Sequence, residues 1–174
     1  MQLRSLQDVF THELKDMHNA EKQILQALPE IAAAVESPEL KAALEEHQRV
    51  TEGQVDRLEQ IFQAMDESPG GTKCKGMEGI LKEGGELLQE DSENGALDAA
   101  IIGAAQKVEH YEIAGYGTLV AFARRLGNED AAKLLAESLM EEKEANLKLS
   151  EIAFTVNDAA GTGDAASTWK KKRR

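Results

Sequence analysis

The sequence predicts an all-α fold, a bundle of four long helices, and three observations carry that prediction. Aromatic residues make up only 4% of the 174, proline occurs three times, and Ala, Leu, Glu, Lys and Gln dominate, which is the composition of long helices. Valine and isoleucine are too sparse and scattered to build a sheet. Apolar residues recur at alternating spacings of three and four along four separate stretches, the period of an amphipathic helix.

The first helix is expected over about residues 5–36, ending at Ser37-Pro38, because the residue before proline resists helical backbone. Pro29 lies inside it and is expected to bend it locally. The second starts with Ser37 as N-cap, Pro38 in the first helical position and Glu39 in the first turn. It runs to about residue 66, before the breaker cluster Ser68-Pro69-Gly70-Gly71. Residues 72–89 form a linking segment with a shorter helix, weakened by Gly76, Gly79, Gly84 and Gly85. The third long helix covers about 94–126 and stops at Gly127-Asn128; the fourth covers about 129–156.

Residues 1–156 thus read as one domain. Residues 157–174, rich in Gly, Ala, Thr and Ser and closing on Lys170-Lys171-Lys172-Arg173-Arg174, read as a disordered basic tail. Two antiparallel helical hairpins joined by a long crossover carrying a short extra helix make a ferritin-like four-helix bundle.

Twenty basic against 32 acidic residues leave a net charge of −12, which argues against the ordered body binding nucleic acid or an anionic membrane. The single cysteine, Cys74, leaves no internal disulfide and fits a reducing compartment, where it reads as a small buried residue. No apolar run approaches the ~18–20 residues of a spanning helix, and no apolar signal core follows Met1, so a cytoplasmic protein is expected. Zinc motifs, phosphate loops, nucleophile elbows and dinucleotide fingerprints are absent from the sequence.

The seams carry the functional signal. Along the first helix the buried stripe reads Leu6, Phe10, Leu14, Met17, Glu21, Ile24, Leu28, Ile31 and Val35, with Glu21 in a core position. The second reads Leu40, Leu44, His47, Thr51, Gln54, Leu58, Ile61 and Met65, with three consecutive polar positions. The third carries Glu109 and Glu112 between Ala105 and Tyr116, and the fourth carries Ser138 and Glu142 between Leu135 and Ala145. Counting out from each hairpin turn, Glu21 and Thr51 lie at one level, as do Glu112 and Glu142, each about fifteen residues away. His47 and Gln54 lie close to the first level; Glu109 and Asn146 match one turn further out.

Glu21, Glu109, Glu112 and Glu142 sum to −4, and no Lys or Arg shares their seam positions. Buried carboxylates cost several kcal/mol each unless charge or protons compensate them. Two divalent cations would neutralise the sum, and oxygen donors with an imidazole suit iron or manganese. The alternative is a solvated or protonated polar layer that sets helix register.

The sequence resembles the YciE/YciF family of ferritin-like bacterial stress proteins over about residues 3–155. The resemblance rests on Ala20-Glu21-Lys22-Gln23; on His47, Thr51, Gly53-Gln54 and Arg57-Leu58; on Lys73 through Gly79 in the crossover; on Gln106 through Thr118; and on Glu141-Glu142-Lys143. More distantly it is similar to rubrerythrins and other di-iron carboxylate proteins, which use a Glu on the first helix, ExxH on the second, ExxE or Glu on the third, and Glu with His on the fourth. By position, that resemblance implies Glu21, Glu109, Glu112 and Glu142 as ligand carboxylates, the four the seams select. His47 is the imidazole candidate.

The second helix departs from the pattern, with Leu44 where a Glu would precede His47, and the fourth has Ala145 and Asn146 where a His would follow Glu142. His18, Thr51, Gln54, Tyr116 and Asn146 are candidate outer partners of the ligands; for His18 and Tyr116, ordinary boundary and core roles are the competing readings. His12 and His110 fall off the seams.

The resemblance implies a dinuclear iron or manganese protein of the oxidative or general stress response, with catalase-like peroxide disproportionation as its most concrete activity, and a homodimer. The departures on the second and fourth helices favour the alternative, a non-catalytic dimeric stress or structural protein with a degenerate or single-metal site. Iron storage is a third reading.

Overall fold

The computed structural model describes residues 3–92 and 95–161. Its elements are α1 (Leu6–Ala34), α2 (Pro38–Ala64), α3 (Lys75–Leu87), α4 (Ala96–Arg125) and α5 (Glu129–Ala160), with no strand among the described residues. α1 pairs with α2 and α4 with α5 as hairpins; α1 also packs on α4 and α2 on α5, which closes a four-helix bundle. The short α3, in the crossover, lies against α1 and α4.

Local chemistry sets the ends. Ser5 caps α1 in a capping box: its hydroxyl accepts from the Asp8 amide at 3.1 Å, and the Asp8 carboxylate accepts from the Ser5 amide at 3.0 Å. Pro29 does not interrupt α1. The helix ends at Ala34, two residues before the expected end, since Val35 and Ser37 are extended ahead of Pro38. The Ser37 hydroxyl then accepts from the Leu40 amide at 3.3 Å and starts α2. A buried side chain that the seams did not single out fixes this turn. Asp98, in the first turn of α4, accepts from the Glu36 amide at 3.0 Å and the Ser37 amide at 2.7 Å, tying the first hairpin's turn to the start of the second.

The crossover is pinned to α1 by backbone contacts: the Cys74 amide donates to Asn19 Oδ1 at 2.8 Å and its carbonyl accepts from Gln23 Nε2 at 2.9 Å. Cys74 is buried, caps α3 and lies 2.9 Å from the Tyr111 hydroxyl, which itself donates to Asp16. Burial raises the pKa of this thiol, in keeping with a structural cysteine. Gly76 lets α3 approach α4, because a Cβ there would sit 2.7 Å from the Tyr111 ring.

At the far end, α5 continues to Ala160, four residues beyond the expected end and into the segment expected to be disordered. Val156 is still buried, Ala159 and Ala160 favour helix, and Gly161 with φ +66° terminates it. The rest of the expected basic tail, 162–174, lies outside the described residues. No described helix is long and apolar enough to cross a membrane.

The core runs the length of the bundle, from Phe10, Leu58, Phe62 and Leu135 to Leu28, Leu40, Ile101 and Ile152. Its apolar continuity breaks at mid-height, where every long helix turns a polar side chain inward.

Candidate metal centre

Glu21, Thr51, Gln54, Glu112, Ser138 and Glu142 have no exposed surface at all; Glu109 is 2% and His47 8% exposed. They stand there because each falls on the inward face of its helix, where the neighbouring turns carry apolar or aromatic residues such as Met17, Ile24, Leu44, Leu58, Val108, Tyr116 and Leu135. His47, Glu109, Glu112 and Glu142 each bring a donor atom to within 4.8 Å of the others. The His47 Nε2 lies 3.6 Å from Glu109 Oε1, too far for a hydrogen bond. Glu21 joins from α1: burial and the charge of Glu142 raise its pKa to about 8, against the hydrogen bond from Tyr116 that lowers it.

Other shifts follow the same logic. Burial and the neighbouring Glu142 carboxylate push Glu109 well above the carboxylate range. For Glu112, burial is followed by the charges of Glu21, Glu142 and Glu109. Burial moves His47 the other way, favouring the neutral ring, which is the form that ligates metals. Burial likewise holds the Tyr116 phenol protonated.

The polar partners of this cluster are few. The Tyr116 hydroxyl donates to Glu21 Oε1, and Gln54 Nε2 donates to Glu142 Oε1 and to Glu141 Oε2. Thr51 does not reach the carboxylates; its hydroxyl donates to the His47 carbonyl at 2.9 Å. Left without partners are Glu21 Oε2, His47 Nε2, Gln54 Oε1, Glu109 Oε2, both oxygens of Glu112 and Glu142 Oε2. Among the described residues no Lys or Arg pairs with Glu21, Glu109, Glu112 or Glu142. Orphaned buried polar atoms are rare, and so many in one spot call for a ligand.

The donor set fits a cation. Metal–oxygen and metal–nitrogen bonds of about 2.1 Å put opposed ligand atoms about 4.2 Å apart, so a 4.8 Å cluster closes on one ion with movements of a few tenths of an ångström. Glu21, buried nearby with Oε2 unpartnered, stands outside this set of four.

Besides Thr51, two further expected outer partners do not reach the cluster's carboxylates. His18 turns to α2, with Nε2 3.2 Å from Glu59 and its ring edge-on to Phe62. Asn146 accepts from Gln106 at 3.3 Å on the α4–α5 face. Conversely, Arg57 and Glu141 do take part. The Arg57 guanidinium grips Glu141 with two hydrogen bonds of 2.7 and 2.5 Å and reaches Ser138 at 3.2 Å, fixing the carboxylate that Gln54 also contacts. Their signal in the sequence is Arg57 one turn after Gln54 and Glu141 next to Glu142.

A family profile described as a domain of unknown function, DUF892, matches residues 5–160. The chain belongs to the DUF892 family. Among its relatives, protein YciF of Escherichia coli is 43% identical over 155 residues, 88% of this chain and 93% of YciF. The crystal structure of that protein, described as a stress protein, superposes with a TM-score of 0.87 at 41% identity, covering 90% of this chain and 99% of YciF. YcfI of Rhodopseudomonas palustris, described as a proposed structural protein, gives 0.83 at 40% identity, covering 86% and 95%. A protein from Xanthomonas campestris pv. campestris, 22% identical with a TM-score of 0.72 over 89% and 94% of the two chains, shares the fold. The ferritin-like bundle and the YciF-type resemblance expected from the sequence thus hold for this DUF892 member.

Proposed function

We propose that this protein holds two divalent metal ions, iron or manganese, between Glu21, His47, Glu109, Glu112 and Glu142, and consumes peroxide as part of a stress response. The observation that carries the reading is the set of unpartnered donor atoms meeting in one dry slab of the bundle. A metal pair held there would store and return the two electrons by which two molecules of hydrogen peroxide become two of water and one of dioxygen.

The chain's own residues prepare the site. Neutral His47 presents the Nε2 lone pair. Tyr116 holds one oxygen of Glu21 and Gln54 one oxygen of Glu142, so that the other oxygen of each faces the cluster. Arg57 and Glu141 fix Gln54 from outside. Surrounding apolar layers exclude bulk water, which strengthens every charge interaction in the slab. The test is oxygen evolution from peroxide by protein reconstituted with manganese or iron. Metal-dependent turnover abolished by Glu112→Gln supports the reading, and inert reconstituted protein refutes the activity.

A second reading is favoured by Leu44, Thr51, Gln54 and Ala145, which leave the α2 and α5 sides with one imidazole and one carboxylate. In it, a single metal or none is bound and the bundle is a structural element of the stress response. Under either reading we take the working unit to be a homodimer. Exposed Met140, Leu147 and Phe154 recur every seven residues along α5 and supply an apolar contact face.

A further inference from the structure

Among the described residues, two cavities are lined by both His47 and Glu109. One, between α1, α3 and α4, is a space of about 40 Å³ walled by residues such as Ile24, Leu28, Ile80, Leu81 and Ile101. A hydrated divalent cation would lose its waters there with no polar group to replace them, at a desolvation cost no apolar wall repays. The other, between α2 and α5, is a cleft of about 230 Å³ that opens between Glu46 and Glu144, with Lys148 also at its edge. Ala43, Val50, Ala145 and Leu149 form its walls.

Ala145 is the residue that keeps this cleft open. It stands one turn after Glu142 on the face toward α2, and its methyl is the smallest side chain that continues the helix without strain. At the mouth, Glu46 is paired with Arg49, Glu141 is held by Arg57, and Glu144 pairs with no described residue. Lys148 shares the rim with Glu144 and its charge also reaches Glu46, so the feature that marks the cleft is the unpartnered, more than nine-tenths buried imidazole at its floor.

We propose that the α2–α5 cleft is the port by which the divalent cation enters, with Ala145 leaving it passage and His47 Nε2 as its first inner ligand. This rests on the metal-site reading above and adds the route and the order of ligation. The carboxylates buried behind His47 favour a cation inward, and a positive charge added at the rim opposes its arrival most strongly at low ionic strength.

The experiment uses the full chain stripped by chelator and cobalt(II) as the probe, with uptake followed by stopped-flow visible absorption and stoichiometry by dialysis. Ala145→Leu should slow uptake about tenfold or more while final stoichiometry stays that of the wild type. Glu144→Lys, at an exposed position where folding is not in question, should slow it several-fold and flatten its salt dependence. Wild-type uptake with unaltered rates in both variants overturns the port and leaves the metal site standing. No cobalt bound by the wild type overturns the metal site, and the port with it. If Ala145→Leu does not fold, the rate and salt dependence of Glu144→Lys decide alone.

Discussion

Replacing Glu112 by glutamine separates a metal ligand from a structural polar layer, because the two readings give opposite signs in the same protein. Glu112 has no exposed surface, neither oxygen has a partner, and burial together with Glu21, Glu142 and Glu109 holds its carboxyl far above the usual range. Glutamine keeps the shape, removes the acid and adds a donor that Glu21 or Glu142 can accept from. An unpaired buried polar group costs about 1–3 kcal/mol, so the chelated Glu112→Gln protein should be more stable than the wild type by about that amount. For a chain of this size this is a rise in Tm of roughly 2–4 °C per kcal/mol.

With metal the order reverses. A ligand at a hundred times its Kd stabilises by about 2.7 kcal/mol, so manganese should raise the wild-type Tm by roughly 5–10 °C and the variant's by little. Differential scanning calorimetry near pH 8, with chelator and then with excess manganese(II), reads both signs. A variant that melts lower than the wild type in chelator, and that gains as much from manganese, would make Glu112 part of a structural polar layer instead of a ligand.

Further outcomes follow from the same geometry. Glu21 has a folded-state pKa of about 8 against an ordinary 4.5, so its contribution to stability is complete below the unfolded value and lost as pH rises through the folded one. The chelated protein should therefore lose Tm steadily from about pH 5 to about pH 8, and manganese should flatten or reverse that slope in parallel melts. Asp98→Ala removes two amide partners at the α1–α2 turn and should lower the urea midpoint by an amount equivalent to about 1.5–3 kcal/mol, with metal uptake unchanged. Leu147→Asp on the exposed α5 face should shift a dimer toward monomer in sedimentation equilibrium without changing Tm in the dilute monomer; a wild-type monomer would remove the proposed assembly.

Height along the bundle was legible in the sequence, and direction around each helix only in part. Counting from the two turns put Glu21, Thr51, Gln54, Glu112 and Glu142 in one slab because rise per residue is fixed and the turns are short. Asn146, matched one turn further out, and His18, a candidate for its nearness to Glu21, both lie at the seam's border. There a rotation of a few tens of degrees decides between the cluster and a neighbour such as Glu59 or Gln106. Arg57 and Glu141 escaped for the complementary reason. They flank the seam, and their pairing joins helices 84 residues apart, which no local period records. Asp98 was invisible because its partners are backbone amides, and amides carry no sequence signal. The end of α5 was misjudged because the small residues after Val156 read as tail, although alanine is also the best helix former.

If the buried carboxylates and His47 hold metal, elemental analysis shows it without any assay of activity, on protein purified without chelator and again after anaerobic reconstitution with iron(II) or manganese(II). Two ions per chain are expected in wild type, falling in Glu112→Gln. Protein that retains no iron or manganese in either preparation, yet is folded and stable, would contradict the metal site and leave the slab as a protonated polar layer.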